Sequence, residues 1–184
     1  GDRDRVTPHP FLSKMTLEQN PEETRKFLET FKQELENIER AVSELNSAET
    51  DAEVIIHPEA ETVEESAENT GMSEDRIVKT LVFIAEAPVA VMCPGDTTVS
   101  EQKLEALRDG EVRMAQPQEV KEHTGYRIGG VSPFGLEIDI LMEESLLEKE
   151  SVKPAAGSPV TGVLVSPEDL RKISEAEPVD VSRK

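Results

Sequence analysis

Residues 76–93 of this chain read RIVKTLVFIAEAPVAVMC and include its most apolar stretch. Aliphatic and β-branched side chains predict one strand over residues 80–85 and a second over residues 89–93. Glu86 and Pro88 interrupt the run, which is also too short to cross a bilayer as a helix. We therefore expect these residues to form two strands of a sheet in a soluble domain.

Other strands and helices are predicted on both sides of this pair. Strands are expected at residues 53–57, 112–115, 136–142 and 162–165, and helices at residues 62–69, 100–108, 116–123 and from residue 166 onward. The last helix begins with Ser166, Pro167 and Glu168, an order typical of a capped helix N-terminus. Because helices and strands mix without strict alternation, the expected fold class is α+β with a mixed sheet.

The N-terminal region is predicted to contain a flexible arm and one long helix. Residues 1–19 show no periodicity. Between residues 21 and 45, apolar side chains recur every three or four positions, namely at Leu28, Phe31, Leu35, Ile38, Val42 and Leu45. Such a stripe is typical of an amphipathic helix, which either packs on its own domain or pairs with a partner helix. We therefore divide the chain into an arm and helix, residues 1–50, and a compact domain, residues 51–184.

The composition restricts the classes of function. A net charge of −19, spread along the chain, opposes non-specific binding of nucleic acid. Five Phe, one Tyr and no Trp leave few rings on which bases could stack. The single cysteine, Cys93, excludes an internal disulfide and a multi-cysteine zinc site, and it fits a reducing compartment.

The histidines give no sign of a metal site. His9, His57 and His123 are scattered, without the spacing of metal ligands. We expect neither a metal nor another cofactor. No charged-then-apolar signal peptide opens the sequence, so we expect a cytoplasmic protein.

Residues 125–135, GYRIGGVSPFG, hold four of the ten glycines. Glycine lacks the Cβ atom that would keep a ligand away from the backbone, and Pro133 restrains both its own φ and the residue before it. The loop therefore predicts a wall of backbone N–H donors suited to a carbonyl oxygen or a developing oxyanion. It lacks the GxxxxGK[ST] and GxGxxG patterns of phosphate-binding loops. An ordinary tight bend is the alternative.

Lys79 places a cation in a run of apolar strand residues. Lysine is seldom buried without a partner, and a side chain that reaches solvent at a strand edge is the commoner outcome. The functional alternative is a lysine that binds an anionic or carbonyl group of a substrate. Sequence position alone leaves both interpretations open.

Three segments, in this order, strongly resemble the YbaK-like family: IVKTLVF at residues 77–83, VRMAQPQEVKEHTGYRIGGVSPFG at 112–135, and AAGSP before VLVSPEDL within 155–170. Members of this family are freestanding relatives of the editing insertion domain of bacterial prolyl-tRNA synthetase. The resemblance covers roughly residues 54–181. It implies a mixed, largely antiparallel sheet flanked by helices, to which this chain adds its long N-terminal helix.

The resemblance also implies an activity, which is hydrolysis of the ester that joins a wrong amino acid to tRNA. Lys79 falls on the family's functional lysine, and residues 129–133 match its G-x-x-x-P loop. Lys79 and Gly129 are therefore the expected catalytic residues. The expected substrate-binding residues are Gly130, Val131, Ser132, Pro133, Ala155 and Gly157. A ribose hydroxyl of the substrate and a bound water would share the chemistry, so no protein nucleophile is needed.

Ala155 departs from the family pattern. Many relatives carry Ser or Asn at this position, where a polar side chain helps to read the amino acid. The methyl group of Ala155 cannot form that hydrogen bond, so this position does not identify the edited amino acid. The candidates are the small residues that are confused with proline, namely alanine, cysteine and serine. Ser158 could substitute, although a loop serine is more often a turn former.

The expected function is trans-editing of mischarged tRNA, with tRNA-Pro carrying alanine or cysteine as the favoured substrate. The implied partners are the aminoacylated tRNA 3′ end and prolyl-tRNA synthetase, without DNA or a membrane. One alternative is a non-enzymatic adaptor on the same fold that docks a synthetase through the N-terminal helix. Another is hydrolysis of a free small-molecule ester. Because the helix lies outside the matched region, we expect the first 45 residues to matter less for activity than Lys79.

Overall fold

The computed structural model describes residues 21–60 and 62–183. The chain divides into two compact units, one ending at Glu36 and the other beginning at Asn37. The boundary between the units falls inside the first helix. No helix in the described ranges combines the length and the apolarity needed to cross a membrane.

Helix α1 spans Pro21–Asn46, which confirms the long N-terminal helix expected from the apolar stripe. Proline at the first helical position and two glutamates in the first turn favour this start. In the second unit, Ala41 and Leu45 of α1 are buried in the main hydrophobic core. Residues 37–46 therefore belong to the compact domain.

The other elements follow in the order β1 (Glu53–Ile56), α2 (Val63–Thr70), β2 (Val78–Ile84), β3 (Pro88–Pro94), β4 (Thr98–Val99), α3 (Glu101–Arg108), β5 (Arg113–Met114), α4 (Pro117–Thr124), β6 (Asp139–Glu143), β7 (Thr161–Leu164), α5 (Pro167–Ser174), β8 (Glu177–Val179) and β9 (Ser182–Arg183). Local sequence sets several helix ends. At the start of α2 the Thr62 hydroxyl accepts a hydrogen bond from the Glu65 N–H, and Gly71 ends the helix in the left-handed conformation.

The main sheet has the strand order β5-β2-β3-β6-β8. Strand β2 pairs antiparallel with β5 and β3, whereas β6 pairs parallel with β3 and β8. Two smaller sheets, β1–β7 and β4–β9, are antiparallel. The α+β fold with a mixed, largely antiparallel sheet flanked by helices is thus confirmed.

Strand β6 differs from its expected form. The alternating pattern at residues 136–142 predicts a half-buried strand, but β6 begins at Asp139, and Ile140, Leu141 and Met142 are all buried. The cause is that core residues pack against both faces of the strand. Ile140 and Met142 pack in one core cluster and Leu141 in another, so the strand has no solvent-facing side.

Candidate functional site

A cavity of about 280 Å³ lies beside β2 and gathers residues that are distant in sequence. Its walls come from the β1–α2 segment, from β2, from the β5–α4 segment, from the glycine loop at residues 125–135 and from residues 153–161. Among the site residues expected from the sequence, those that line the cavity are Lys79, Gly129, Val131 and Ala155. Those that do not line it are Gly130, Ser132, Pro133 and Gly157.

Lys79 is the second residue of β2 and is paired in register with Cys93 of β3. Its side chain is half-buried and lines the cavity. Within the described residues, no carboxylate forms an ion pair with it. The ammonium group can therefore interact with an electronegative group of a ligand.

Cys93 lacks the properties of a nucleophile. It is fully buried and does not line the cavity. Burial raises the pKa of its thiol to about 11, a rise that the positive charge of Lys79 only partly offsets. The thiol is therefore protonated at neutral pH, and the side chain packs as a small buried hydrophobe.

Gly129 forms an exposed edge of the cavity and has a φ of +86°, in the left-handed region that favours glycine. A Cβ atom at this position would meet no protein atom within 4 Å. The space that a side chain would fill is therefore open to a ligand. Within the described residues, no hydrogen bond uses the N–H of Gly129 or Val131, whereas Gly130 donates to the Arg127 carbonyl at 3.0 Å.

Gly130, Ser132 and Pro133 lie behind this edge and are buried. A Cβ atom on Gly130 would lie 3.2 Å from Cα of Ser158, so glycine lets the loop approach the backbone there. The Ser132 hydroxyl accepts a hydrogen bond from the Phe134 N–H at 3.2 Å. These residues shape the loop and do not contribute to the cavity wall.

Ala155 and Ser158 bring the later segment to the cavity. The Ala155 methyl group offers no hydrogen bond, as the sequence indicated. The Ser158 hydroxyl accepts from the Val160 N–H at 3.1 Å and lies 2.9 Å from Oγ1 of Thr161. Ser158 thus has the turn-forming contact expected of a loop serine and lines the cavity as well.

The second half of α1 supports the glycine loop, a role that the sequence analysis missed. The Arg40 guanidinium donates to the carbonyl oxygens of Thr124 at 3.0 Å and of Gly135 at 3.1 Å, at the two ends of the loop. Gly157 has a φ of +96°, and a Cβ atom there would lie 2.6 Å from the carbonyl oxygen of Asn37. Gly157 therefore permits close packing of α1.

Lys153 is a second lysine of the cavity, which the sequence analysis did not single out. It is only 4% exposed, and its Nζ donates to the Ser66 hydroxyl at 2.7 Å. Burial lowers the pKa of its ammonium group to about 8. A Cβ atom on Gly162 would lie 2.3 Å from Cε of Lys153, so the glycine provides room for the lysine side chain.

His57 also lines the cavity, although the sequence suggested only a residue at a strand end. Its Nδ1 lies 2.8 Å from the Pro58 carbonyl oxygen. Nε2 is buried, with no hydrogen-bond partner among the described residues. Burial lowers the pKa of the imidazole; the Pro58 contact opposes this shift, and the charge of Lys153 adds to it. In the part of the chain that the structure describes, no three His, Cys, Asp or Glu residues are placed to hold a metal ion.

Comparison with known proteins identifies the family to which this chain belongs. The aminoacyl-tRNA editing domain matches residues 57–173. The uncharacterised protein YwhH of Bacillus subtilis is 37% identical over 117 residues, which cover 61% of this chain and 74% of YwhH. A proline–tRNA ligase of Maridesulfovibrio salexigens is 34% identical over 139 residues, covering 68% of this chain but only 24% of the ligase.

A solved structure shows the same fold. The crystal structure of a candidate trans-editing enzyme for prolyl-tRNA synthetase superposes with a TM-score of 0.75 and 28% sequence identity, covering 80% of this chain and 98% of that one. The family match includes Lys79, the glycine loop and the segment that contains Ala155. The chain therefore belongs to the YbaK-like family of aminoacyl-tRNA editing domains.

Proposed function

We propose that this protein hydrolyses the ester bond of mischarged tRNA in trans. The observation that carries the proposal is that Lys79 and Gly129 line one cavity. These residues match the functional lysine of the family and the first glycine of its G-x-x-x-P loop. The ammonium of Lys79 and the open space at Gly129 suit the end of an aminoacylated tRNA. The 3′-terminal ester is the only part of such a polymer that needs to enter a cavity of about 280 Å³.

The glycine loop would supply the electrostatic part of catalysis. Water adds to the ester carbonyl carbon, and the bond from that carbon to the ribose oxygen breaks. The ribose oxygen takes a proton, and the free amino acid and tRNA are released. A backbone N–H aimed at the developing oxyanion lowers the barrier by about 2.7–4 kcal/mol. The N–H groups of Gly129 and Val131 are the candidates, because Gly130 already donates within the loop.

The attacking water would be activated by the substrate. Cys93 is buried, protonated and outside the cavity lining, which argues against a cysteine nucleophile. A neighbouring ribose hydroxyl can orient the water, while Lys79 binds an electronegative group of the substrate. In this mechanism Lys79 positions the substrate and neutralises the charge of the group that it binds. It forms no covalent intermediate.

The relatives support a proposal for the substrate and for the partner protein. One solved structure similar to this chain is that of a candidate trans-editing enzyme for prolyl-tRNA synthetase. We accordingly propose tRNA-Pro carrying a small wrong amino acid as the substrate, with alanine, cysteine and serine as the candidates. With a net charge of −19 the protein repels free tRNA, so a synthetase that holds the tRNA would raise the rate.

A panel of mischarged tRNAs tests the proposal. We expect the wild type to deacylate at least one of them and Lys79→Ala to lose about 100-fold in rate, the scale of one electrostatic contact in an active site. Lys172→Ala is the matched control, because Lys172 is exposed on α5. Equal rates for the wild type and Lys79→Ala, or no deacylation of any tRNA, would rule the mechanism out.

One observation favours the adaptor as a second candidate function. In the first unit, Leu28, Phe31 and Leu35 are large apolar residues exposed by 50%, 45% and 46%. Such a stripe on a helix is typical of partner docking. If the protein is this adaptor, the triple substitution to serine will abolish co-sedimentation with prolyl-tRNA synthetase, and the wild type will deacylate no tRNA of the panel.

A further inference from the structure

Lys153 occupies a position that the fold is built to accommodate. Its N–H donates to the Arg76 carbonyl at 2.9 Å, and its carbonyl accepts from the Val78 N–H at 3.0 Å. Its side chain passes over Gly162, where any larger residue would collide with it. These contacts hold the ammonium group at the cavity, where Ser66 is its hydrogen-bond partner. Among the described residues it forms no ion pair with a carboxylate.

His57 presents the complementary atom. The Pro58 carbonyl can only accept a hydrogen bond, so Nδ1 of His57 carries the hydrogen and donates. In the neutral ring Nε2 is then an acceptor. This nitrogen is buried without a partner in the described ranges, and His57 lines the same cavity as Lys153. A buried acceptor costs free energy until a donor reaches it.

The two residues define what a ligand must offer. Lys153 can only donate, whereas neutral His57 can accept through Nε2. A hydroxyl group matches both because its oxygen accepts while its hydrogen donates. A carboxylate cannot donate, and a methyl group can do neither. The Thr80 hydroxyl, another buried group without a partner among the described residues, lines the cavity too and favours a polar occupant.

We propose that Lys153 and His57 form a hydroxyl-reading subsite that selects an acyl group with a hydroxylated side chain, of the serine or threonine kind. The proposal rests on the proposed deacylase function and deepens it. Lys153 is the more buried of the two cavity lysines, and the acyl side chain is the terminal part of the substrate. The subsite takes over the polar recognition that Ala155 lacks.

The first test compares two substrates. We expect the full-length wild type to deacylate seryl-tRNA-Pro at least about tenfold faster than alanyl-tRNA-Pro, because the alanyl group leaves buried polar atoms unpaired. Lys153→Met keeps the side-chain length and removes the hydrogen-bond donor. The rate with seryl-tRNA-Pro should therefore fall, and with it the serine-to-alanine rate ratio, by at least about tenfold. His57→Phe should act in the same direction. Lys121→Met, at an exposed lysine of α4, is the control. A serine-to-alanine ratio unchanged by Lys153→Met or by His57→Phe would overturn the subsite.

The second test separates the subsite from the activity. The probes are 3′-seryl-amido and 3′-alanyl-amido adenosine, which cannot be hydrolysed, and the measurement is calorimetric binding to the intact protein. Tighter binding of the seryl probe than of the alanyl probe, with the difference lost in Lys153→Met, supports the subsite. If this result is obtained but no tRNA is deacylated, only the deacylase proposal fails. Equal binding of the two probes, or no binding of either, overturns the subsite.

Discussion

The guanidinium carbon of Arg40 lies 4.6 Å from the centre of the Tyr126 ring, in a cation–π contact. The same group donates hydrogen bonds to the carbonyls of Thr124 and Gly135, which lie at the two ends of the glycine loop. Tyr126 itself is fully buried. One side chain of α1, outside the residues that match the family, thus joins both ends of the loop that carries Gly129.

Arg40→Met should weaken the loop without unfolding the domain. The change removes two hydrogen bonds and a cation–π contact, each worth about 0.5–1.5 kcal/mol. We expect a drop in deacylation of about tenfold and faster amide hydrogen exchange at Gly130 and Phe134, whose N–H groups are hydrogen-bonded within the loop. Arg25→Met, at an exposed arginine of the same helix, is the control. Unchanged exchange and activity in Arg40→Met would show that the loop holds its shape alone.

Two truncations should separate the halves of α1. Deleting residues 1–36 removes only the first compact unit, whereas deleting residues 1–45 also removes Asn37 and Arg40. We expect the shorter deletion to keep most of the deacylase activity and the longer one to lose it. The cut proposed from the sequence, at residue 45, therefore moves to residue 36. Deacylation rates, with circular dichroism to verify folding, provide the measurement; equal loss in both truncations would contradict this division.

Gly129→Ala should affect activity more than stability. A residue with a side chain at φ +86° is strained by about 1–2 kcal/mol, but the new methyl group meets no protein atom within 4 Å. The methyl group instead enters space that we assign to the ester. Gly71→Ala is a matched control, since Gly71 has φ +68° and equally open surroundings but does not line the cavity.

We expect similar losses of unfolding free energy in the two glycine variants, measured by urea denaturation. Only Gly129→Ala should lose deacylation activity, by at least about tenfold, because a displaced reacting group lowers the rate by this much or more. A fully active Gly129→Ala would mean that the substrate does not approach this backbone.

The sequence predicts best where the signals are local. Thr62 and Gly71 bracket α2 because a capping side chain and a left-handed glycine act within a few residues. Lys79 and Gly129 were identified through their resemblance to a family motif, and the structure brings them to one cavity. The half-buried strand predicted at residues 136–142 was wrong, because β6 begins at Asp139 and packs against core residues on both faces, which the alternating pattern did not indicate.

The contributions of His57 and Lys153 could not be predicted, because long-range pairing creates them. His57 reaches the cavity because β1 pairs with β7 and the His57 N–H donates to the Val160 carbonyl at 2.9 Å. Lys153 reaches it because its backbone bonds to that of Arg76 and Val78. Neither segment shows a periodic pattern of residues from which these contacts could be predicted.

Lys153 should also make the stability of the protein depend on pH. Burial lowers the pKa of its ammonium group from 10.5 to about 8, so folding disfavours the charged form. The unfolded chain therefore binds more protons than the folded one between these two values, and stability rises with pH across that window. Below pH 8 the full penalty applies, on the order of 3 kcal/mol for a shift of this size.

Lys153→Met removes this penalty and should stabilise the protein at pH 7 by about 1–2 kcal/mol, less than the full amount because Ser66 loses its partner. At pH 9.5 the gain should shrink, since the wild-type lysine is then largely neutral. Urea unfolding of the wild type and the variant at both pH values gives the measurement, with Lys121→Met, at an exposed lysine of α4, as the control. If Lys153→Met is destabilising at pH 7, the ammonium already has a favourable partner in the free protein, and a substrate hydroxyl would have to compete with it.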